Sequence, residues 1–225
     1  MIKVISFDIG GTILLTKSIS QYNLKALTEL VNKPYDEVRN AYKNIFQKKK
    51  GTLEELVFDF TTTLNIINNQ EIINFFKEKF SFKNNVTEYN KNIISLIKKL
   101  KEMGFKIILF SNSCCLLVND LSDEILNNVD VIYYSYDLGY TKSDSMSYKI
   151  IEKKMNVLPN EILHIGDTLK SDYIKPIENG WNALYYGKID DKNINNIENL
   201  EEILNIVSGD LWKEYSRKNK IGYKK

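Results

Sequence analysis

Apolar and polar positions follow two different periods along the chain, and these periods predict strands in some places and helices in others. Residues 3–8 (KVISFD) form a short run rich in β-branched and aromatic residues, and the pair Gly10-Gly11 follows it, as at the end of a strand. From about residue 18 to residue 80, apolar residues instead recur at i, i+3 and i+4, which indicates amphipathic helices. The predicted helices cover residues 21–31, 34–50, 52–65 and 70–80.

Strands and helices alternate after this helical block. Strands are predicted at 106–111, 129–136, 161–167 and 182–186, and helices at 87–103, 116–126, 145–155, 172–179 and 197–206. Such alternation is typical of an α/β fold with a doubly wound parallel sheet that is covered on both faces. We therefore expect a Rossmann-like α/β core formed by residues 1–16 and 86–208, a small all-helical cap formed by residues 17–85, and a basic C-terminal tail at 209–225.

Local signals support helix boundaries inside the helical block. Pro34 stands where a first-turn proline belongs. Gly51 can end the second helix, and the hydroxyl of Thr52 can cap the third. These signals favour several short helices, and therefore a separate helical unit, between the first strand and the rest of the sheet.

Composition and charge exclude several classes of function. The 225 residues carry a net charge of +2, and lysines are spread among acidic residues, so we expect no nucleic-acid-binding face. No apolar run approaches the ~20 residues that a membrane helix needs, so no membrane partner is expected. The two cysteines, Cys114 and Cys115, are adjacent, which disfavours a disulfide between them. We expect free thiols that serve as packing residues, a cytoplasmic protein, and a monomer or homodimer.

Polar side chains follow the predicted strands at the points where these strands end. Asp8 ends the first strand, and Ser111 and Asn112 end the second. Asp167 ends the fourth, and Lys142 comes shortly after the third. Ligands of open parallel sheets bind beyond the carboxyl ends of the strands, so we expect these groups to meet. Carboxylates can hold Mg²⁺, an ammonium and a hydroxyl can hold phosphate oxygens, and a carboxylate can attack phosphorus to form an aspartyl phosphate.

Four segments resemble, in order and spacing, the four signature motifs of the haloacid dehalogenase superfamily. They are SFDIGGTI, LFSNS, GYTK and HIGDTLKSD, and the stretch SDYIKPIENGWNALYYG also resembles the family's segment after the last motif. The likeness covers roughly residues 1–16 and 86–207, and the helical block lies where the family inserts its first type of cap. The resemblance implies a phosphotransfer-type core that acts on a small phosphorylated substrate with Mg²⁺ as cofactor.

The resemblance also implies a role for individual residues. Asp8 would be the nucleophile, Ser111 would hydrogen-bond the transferring phosphoryl group, and Lys142 would neutralise its charge. Thr12 would brace the loop after the nucleophile, and Asp172 would act through water or by orienting Lys142. The implied phosphate-binding residues are Ser111, Asn112, Lys142 and Gly11, and the implied metal ligands are Asp8, the carbonyl of Gly10, Asp167 and Asp172.

One position departs from the pattern of the family's phosphatases. They carry a second Asp two residues after the nucleophile, which protonates the leaving group and then activates water, and here that position is Gly10. The carbonyl for Mg²⁺ remains, but an acid/base worth ~10²–10⁴-fold in rate is missing. The only histidine of the sequence, His164, lies inside the fourth predicted strand. We expect it to be a packed or hydrogen-bonded residue rather than the missing acid.

Several chemistries remain open at this level. We expect a Mg²⁺-dependent hydrolase of a small phosphorylated metabolite whose leaving group needs little protonation, or obtains its acid from the cap or the substrate. The family's carbon–phosphorus hydrolases resemble this pattern at Gly10 but use a cap lysine as a Schiff base. Lys48, Lys49 and Lys50 are candidates, although a solvated basic turn explains that run as well. Dehalogenases also lack the second Asp but use no metal, whereas Asp167 and Asp172 favour one.

Two further alternatives are compatible with parts of the sequence. A catalytically degenerate protein that binds a phosphoryl ligand or a protein partner without turnover would explain Gly10. The segment DIGGT resembles the first phosphate loop of sugar kinases in the actin-like superfamily, whose glycines let backbone amides approach phosphates. Those kinases have a hairpin after that loop, where residues 20–30 here predict a helix, and GDTLKSD has no role in them.

Overall fold

The fold is built around one parallel sheet. The computed structural model describes residues 1–15, 20–67, 70–80, 88–117 and 121–209. Within these the sheet has six strands in the order β3-β2-β1-β4-β5-β6, with every neighbouring pair parallel. They are β1 (Val4–Phe7), β2 (Lys106–Ser111), β3 (Val131–Tyr134), β4 (Ile162–Gly166), β5 (Asn182–Tyr186) and β6 (Asn196–Ile197). The strand order reverses at β1, which confirms the predicted doubly wound α/β core.

Helices cover both faces of the sheet because its central strands are apolar on both sides. On one face, Phe7 of β1 and Leu96 belong to the same large hydrophobic cluster. On the other face, Val4 belongs to a second cluster with Ile151. Leu96 lies on α5 (Ile93–Glu102) and Ile151 on α8 (Ser145–Met155). The described core also contains α6 (Asp123–Leu126), α7 (Ser135–Leu138), α9 (Lys175–Glu178), α10 (Glu202–Ser208), a 3₁₀ turn at Pro159–Glu161 and a π-helical segment at Leu169–Ile174.

Four consecutive helices between β1 and β2 share a hydrophobic cluster of their own. Phe46, Phe60 and Phe76 lie at its centre, with ring centroids 4.4 to 6.2 Å apart. Cys114 also belongs to this cluster, so the helices pack on the loop that follows β2. The helices are α1 (Ser20–Val31), α2 (Tyr35–Ile45), α3 (Leu53–Thr63) and α4 (Gln70–Lys79).

The predicted cap of α3 is present. Thr52 Oγ1 accepts a hydrogen bond from the backbone N–H of Glu55 at 3.2 Å, and the Glu55 carboxylate accepts one from the Thr52 N–H at 2.8 Å. These two reciprocal bonds satisfy donors that the first turn of a helix otherwise leaves free. They therefore fix where the third helix of the block begins.

Several predicted elements are wrong in extent. The predicted helix 116–126 fails over its first part, because residues 116–117 and 121–122 are not helical and α6 begins after Ser122, which caps it. The predicted helix 87–103 begins only at Ile93, since Asn92 before it has a left-handed backbone with φ of 62°. The predicted strand 129–136 is four residues long, because the chain turns into α7.

Differences also occur near the last motif. Residues 172–179 are divided between the π-helical segment and α9 instead of forming one helix. The predicted helix 197–206 begins only at Glu202 and is preceded by β6, which we did not predict because two residues show no period.

Some predictions fall outside the described residues: the ends of the cap near 16–19 and 81–87, positions 118–120, and the basic tail from residue 210. The cysteines behave as expected, since both are free and burial raises the pKa of the Cys114 thiol to about 12. Across the described residues, none of the helices combines the length and the apolar character that crossing a bilayer requires.

Candidate active site

The carboxyl end of the sheet brings the predicted polar residues together. Phe7 of β1 is in register with Leu109 and Ile165 of the two neighbouring strands. Asp8 therefore leaves the sheet between the ends of β2 and β4. Its backbone N–H still donates to the carbonyl of Ile165 at 2.8 Å, which fixes the start of its loop. Ser111, the last residue of β2, is also buried at this edge.

Lys142 lies in the middle of this edge and is held at both ends. It is only 1% exposed, and its Nζ donates to Asp8 Oδ1 at 2.5 Å and to Asp172 Oδ1 at 2.6 Å. Its backbone N–H donates to Asn112 Oδ1 at 2.8 Å, and its carbonyl accepts from the Tyr148 hydroxyl at 2.8 Å. The ammonium is therefore fixed relative to Asp8 before any ligand arrives, which lowers the cost of ordering it.

Electrostatics keep Lys142 charged in this buried position. Burial lowers its pKa, but Asp172 and Asp8 raise it further, and the net pKa lies above the usual value. Burial likewise raises the pKa of Asp172, but Lys142 and His164 outweigh it, so the net pKa falls. These two groups therefore form a charged pair.

The pKa of Asp8 moves in the opposite direction from that of Asp172. Burial, the largest cause, raises its pKa to about 7; Lys142 opposes that rise, while Asp172 and Asp167 add to it. The pKa of Asp167 is raised by burial and by Asp172 as well. Negative charge is therefore in excess at this point, which is the electrostatic condition for binding a cation.

The three carboxylates fit a hard divalent cation. Asp8, Asp167 and Asp172 each offer one oxygen, and these oxygens lie within 4.8 Å of one another. Oxygen donors of this type suit Mg²⁺. Asp172 is already engaged, because its Oδ2 accepts from the Thr168 N–H at 3.0 Å and its Oδ1 faces Lys142 and His164. Its contacts thus favour the orienting role, while Asp8 and the more exposed Asp167 are better placed as direct ligands.

His164 belongs to a buried chain of polar groups below the site. Its Nδ1 lies 2.8 Å from the hydroxyl of Ser6, and its Nε2 lies 3.3 Å from Asp172 Oδ1. Burial lowers its pKa to about 4, so the ring is neutral at physiological pH. A neutral ring that donates from Nε2 to Asp172 accepts at Nδ1 from Ser6. The histidine is a hydrogen-bonded sheet residue, as expected.

Two glycines make room for the carboxylates. Gly11 has φ of 80°, and a Cβ there would lie 2.0 Å from Asp167 Oδ2. A Cβ on Gly166 would lie 2.6 Å from Asp172 Cβ and Cγ. Gly10 is different, because a Cβ there meets nothing within 4 Å and the residue is exposed. Gly10 therefore faces open space beside Asp8.

Asn112 and Thr12 lie at the same edge of the sheet, but only the side chain of Asn112 makes a hydrogen bond there. Asn112 is half-buried, and its Oδ1 binds the backbone of Lys142, so it positions the loop of that lysine. Thr12 is fully buried, and its hydroxyl has no hydrogen-bond partner in the described part of the chain, although Asn90 Nδ2 donates to its carbonyl at 3.0 Å. We infer no bracing bond from the Thr12 side chain.

Sequence reasoning missed Tyr148, Ser6 and Gly166. The sequence pattern predicts only a packing residue of α8 at Tyr148 and an ordinary strand residue at Ser6. Gly166 stands beside Asp167 in the last motif, so its position was a signal that could have been used.

Comparison with known proteins agrees with this architecture. Residues 2–174 match the family model of the haloacid dehalogenase-like hydrolases. An uncharacterised hydrolase of Schizosaccharomyces pombe is 26% identical over 211 residues, covering 82% of this chain and 90% of that protein.

Solved structures share the fold at low identity. A 2-haloacid dehalogenase from Pseudomonas syringae pv. tomato has a TM-score of 0.60 at 15% identity, covering 92% of this chain and 99% of its own. A predicted phosphoglycolate phosphatase from Haemophilus somnus gives 0.59 at 16%, covering 92% and 98%. An enzyme of the family from Bacteroides thetaiotaomicron, in complex with magnesium and inorganic phosphate, gives 0.56 at 14%, covering 85% and 98%. The match over residues 2–174, the shared fold and the four strand-end motifs lead to one conclusion: the chain belongs to the haloacid dehalogenase-like hydrolases.

Proposed function

We propose that this protein is a cytoplasmic Mg²⁺-dependent hydrolase of a small phosphorylated metabolite, acting through an aspartyl phosphate on Asp8. The observation that carries the proposal is the contact of Lys142 Nζ with Asp8 at 2.5 Å and with Asp172 at 2.6 Å, beside the third carboxylate, Asp167. A nucleophile, a fixed cation and a metal-binding carboxylate are the groups that phosphoryl transfer to a carboxylate requires.

The residues of this chain account for each part of the transfer. A carboxylate oxygen of Asp8 forms a bond to phosphorus while the bond from phosphorus to the leaving-group oxygen breaks, and the electron pair stays on that oxygen. Lys142 neutralises charge on the phosphoryl oxygens throughout, and Ser111 would donate to one of them. Water then attacks phosphorus, the bond from phosphorus to the Asp8 oxygen breaks, and the proton that water loses leaves with the released phosphate, which restores the Asp8 carboxylate. Asp8, Asp167 and the Gly10 carbonyl would hold Mg²⁺, which supplies further charge neutralisation when bound.

Gly10 narrows the substrates that such a site can process. With no carboxylic acid beside Asp8, the leaving group must depart with little help from a proton. Acyl phosphates and activated esters meet this condition, whereas simple alkyl phosphates do not. We therefore propose a substrate of the first kind, or one that brings its own acid.

The contacts of the cap lysines speak against the carbon–phosphorus alternative. Lys48 binds Asp144 at 3.1 Å, Lys49 binds Asp59 at 2.5 Å, and Lys50 pairs with Asp137. A Schiff-base lysine must present its amine to a carbonyl carbon, whereas each of these three amines is directed at a carboxylate. In a metal-free dehalogenase, no cation would balance the excess negative charge around Asp8 and Asp167.

The test is phosphate release from acetyl phosphate and para-nitrophenyl phosphate with Mg²⁺, comparing the wild type with Asp8→Asn. We expect release by the wild type, loss of it in Asp8→Asn with an unchanged circular dichroism spectrum, and loss of it in EDTA. Phosphate release retained by Asp8→Asn would refute the nucleophile, and phosphate release retained in EDTA would refute the requirement for Mg²⁺. No release from either compound would favour the degenerate, ligand-binding alternative.

A further inference from the structure

A buried pair of polar side chains, Ser6 and His164, lies one layer below the candidate active site. The two residues are register partners on the neighbouring strands β1 and β4, and both are fully buried. His164 Nδ1 lies 2.8 Å from the Ser6 hydroxyl. Side chains alternate along a strand, so Ser6 shares a face of the sheet with Asp8, which follows it two positions later. The pair therefore occupies the layer beneath the proposed nucleophile.

Aromatic side chains surround the ring of His164. The ring centroid of Phe110 on β2 lies 6.0 Å from that of His164, and the centroid of Trp181 lies 6.3 Å from it. A hydroxyl and an imidazole give up their hydrogen bonds to water in such surroundings, a cost that two apolar side chains of similar size would avoid. Packing alone would thus favour an apolar residue at this position, and the reason for a histidine lies in its polar contacts.

His164 connects Ser6 to the charged pair of the site. Its Nε2 lies 3.3 Å from Asp172 Oδ1, and the same oxygen accepts from Lys142 Nζ at 2.6 Å. An ionised carboxylate only accepts hydrogen bonds, so the proton between the two groups must belong to Nε2. Nδ1 of the neutral ring is then the acceptor for the hydroxyl of Ser6. The contacts therefore fix the ring as a donor to Asp172.

Three donors together define the orientation of the Asp172 carboxylate. The Thr168 N–H reaches Oδ2 at 3.0 Å, while Lys142 and His164 share Oδ1. Among these three donors, His164 is the one that comes from a strand paired on both sides, since β4 lies between β1 and β5. The Lys142 ammonium in turn reaches Asp8 Oδ1 at 2.5 Å. Through Asp172, the sheet therefore sets where the ammonium lies relative to the nucleophile.

We propose that His164 is a positioning residue, whose Nε2–H holds the Asp172 carboxylate so that Lys142 faces the phosphoryl group. This inference rests on the proposed function and adds to it a residue that touches neither the substrate nor the reacting atoms. Phosphoryl transfer to Asp8 depends on charges that are fixed before the reaction, so a misplaced ammonium stabilises the transferring group less. Ser6 orients the ring from the other side.

Nitrogen NMR of the wild type tests the first half of the proposal and does not depend on whether a variant folds. The chain contains one histidine, so a sample labelled at histidine and freed of any affinity tag reports on His164 alone. We expect a neutral ring with the proton on Nε2 and a bare Nδ1. A proton on Nδ1 with a bare Nε2 would overturn the proposal, because the ring could not then donate to Asp172.

Two amide substitutions separate the contact with Asp172 from the contact with Ser6. The amide nitrogen of glutamine lies as many bonds from Cα as the histidine Nε2, so His164→Gln can still donate to Asp172. The shorter asparagine amide ends where Nδ1 does, so His164→Asn can still accept from Ser6 but does not reach Asp172. Each variant places an amide among the same aromatic rings, which makes the two a matched pair for lost packing.

We expect kcat for acetyl phosphate to be at least about tenfold higher in His164→Gln than in His164→Asn, as is usual for a partner that orients a group of a metal-dependent site. Circular dichroism and urea denaturation establish that both variants are folded during the assay. Equal kcat in the two folded variants would overturn the proposal, since a histidine with only a structural role predicts the same loss in both.

Binding of inorganic phosphate provides a readout that needs no turnover. In a phosphorus NMR titration with Mg²⁺, the Kd of phosphate should be about tenfold lower for His164→Gln than for His164→Asn. A wild type that binds phosphate but releases none from acetyl phosphate would refute the proposed hydrolase alone. The ratio of the two Kd values would then decide the role of His164, with a tenfold difference supporting it and equal values overturning it.

Discussion

Gly10 is the residue that most constrains the chemistry of this site. A Cβ at this position meets no atom within 4 Å, so the backbone beside Asp8 has room for a side chain to begin. The absence of a carboxylate there is therefore a property of this sequence and does not result from crowding. The first side-chain atom of the family's usual acid can therefore be added there without displacing a neighbour.

Gly10→Asp should accelerate hydrolysis of a simple alkyl phosphate by about 10²–10⁴-fold if protonation of the leaving group limits the rate. The gain should be much smaller for acetyl phosphate, whose leaving group departs as a stable anion. Steady-state kcat/KM for both substrates measures the difference. Gly10→Asn is the control, because it has the same size but no proton to transfer. An equal gain in both variants, or none in Gly10→Asp, would contradict the role assigned to this position.

The sequence predicts Asp8, Asp167 and Lys142 better than it predicts the residues that hold them in place. Asp8 and Asp167 are found because each directly follows an apolar strand, and Lys142 because its motif has a fixed place in the order of motifs. The contact of Tyr148 with the Lys142 carbonyl depends on how α8 packs under the loop, which no local pattern records. The roles implied for Ser111, Asn112 and Gly11 stay predictions.

At the scale of elements, the turn from β4 into the π-helical segment positions the charges. Asp172 folds back over Gly166 so that its carboxylate reaches Lys142 and the Thr168 N–H. The sequence predicts a strand and a helix here but not the wider π-helical turn, because a change in hydrogen-bond spacing leaves the apolar pattern nearly unaltered.

Gly166→Ala should displace Asp172 and weaken its hold on Lys142. We expect a loss of about 1–3 kcal/mol in the free energy of unfolding, typical of overpacking in a core, together with a lower kcat for acetyl phosphate. Urea denaturation measures the first effect. Gly10→Ala is the matched control for stability, since its added methyl meets open space and should change the unfolding free energy by less than about 1 kcal/mol. Equal stability of the two variants would show that the crowding at Asp172 relaxes freely.

At the scale of the molecule, a cation bound by the three clustered carboxylates would make the free energy of unfolding depend on the cation concentration. Mg²⁺ at 100 times its Kd should add about 2.7 kcal/mol to the free energy of unfolding. For a chain of this size, that corresponds to a rise in Tm of roughly 5–10 °C. Differential scanning fluorimetry with and without EDTA measures it. Asp167→Asn should remove most of the rise, and a rise that survives this substitution would place the cation elsewhere.

The fold class follows from sequence because the order of strands and helices is a property of the whole chain. The cap was predicted as a helical unit, and its four helices share a cluster, but the boundaries at 17 and 85 remain predictions. The docking of Cys114 into that cluster could not be predicted, since it depends on how the helices meet the loop after β2.

The central position of β1 has a consequence for synthesis of the protein. Its partners β2 and β4 pair Val4 with Lys106 and Ile162, so β1 is synthesised before either partner and keeps at least one edge open until residue 162 emerges. At ~5–20 residues per second, that interval lasts roughly 8–30 s. An apolar strand with a free edge can join another chain during this time. Nascent chains halted before β4 should therefore require a chaperone that shields this edge.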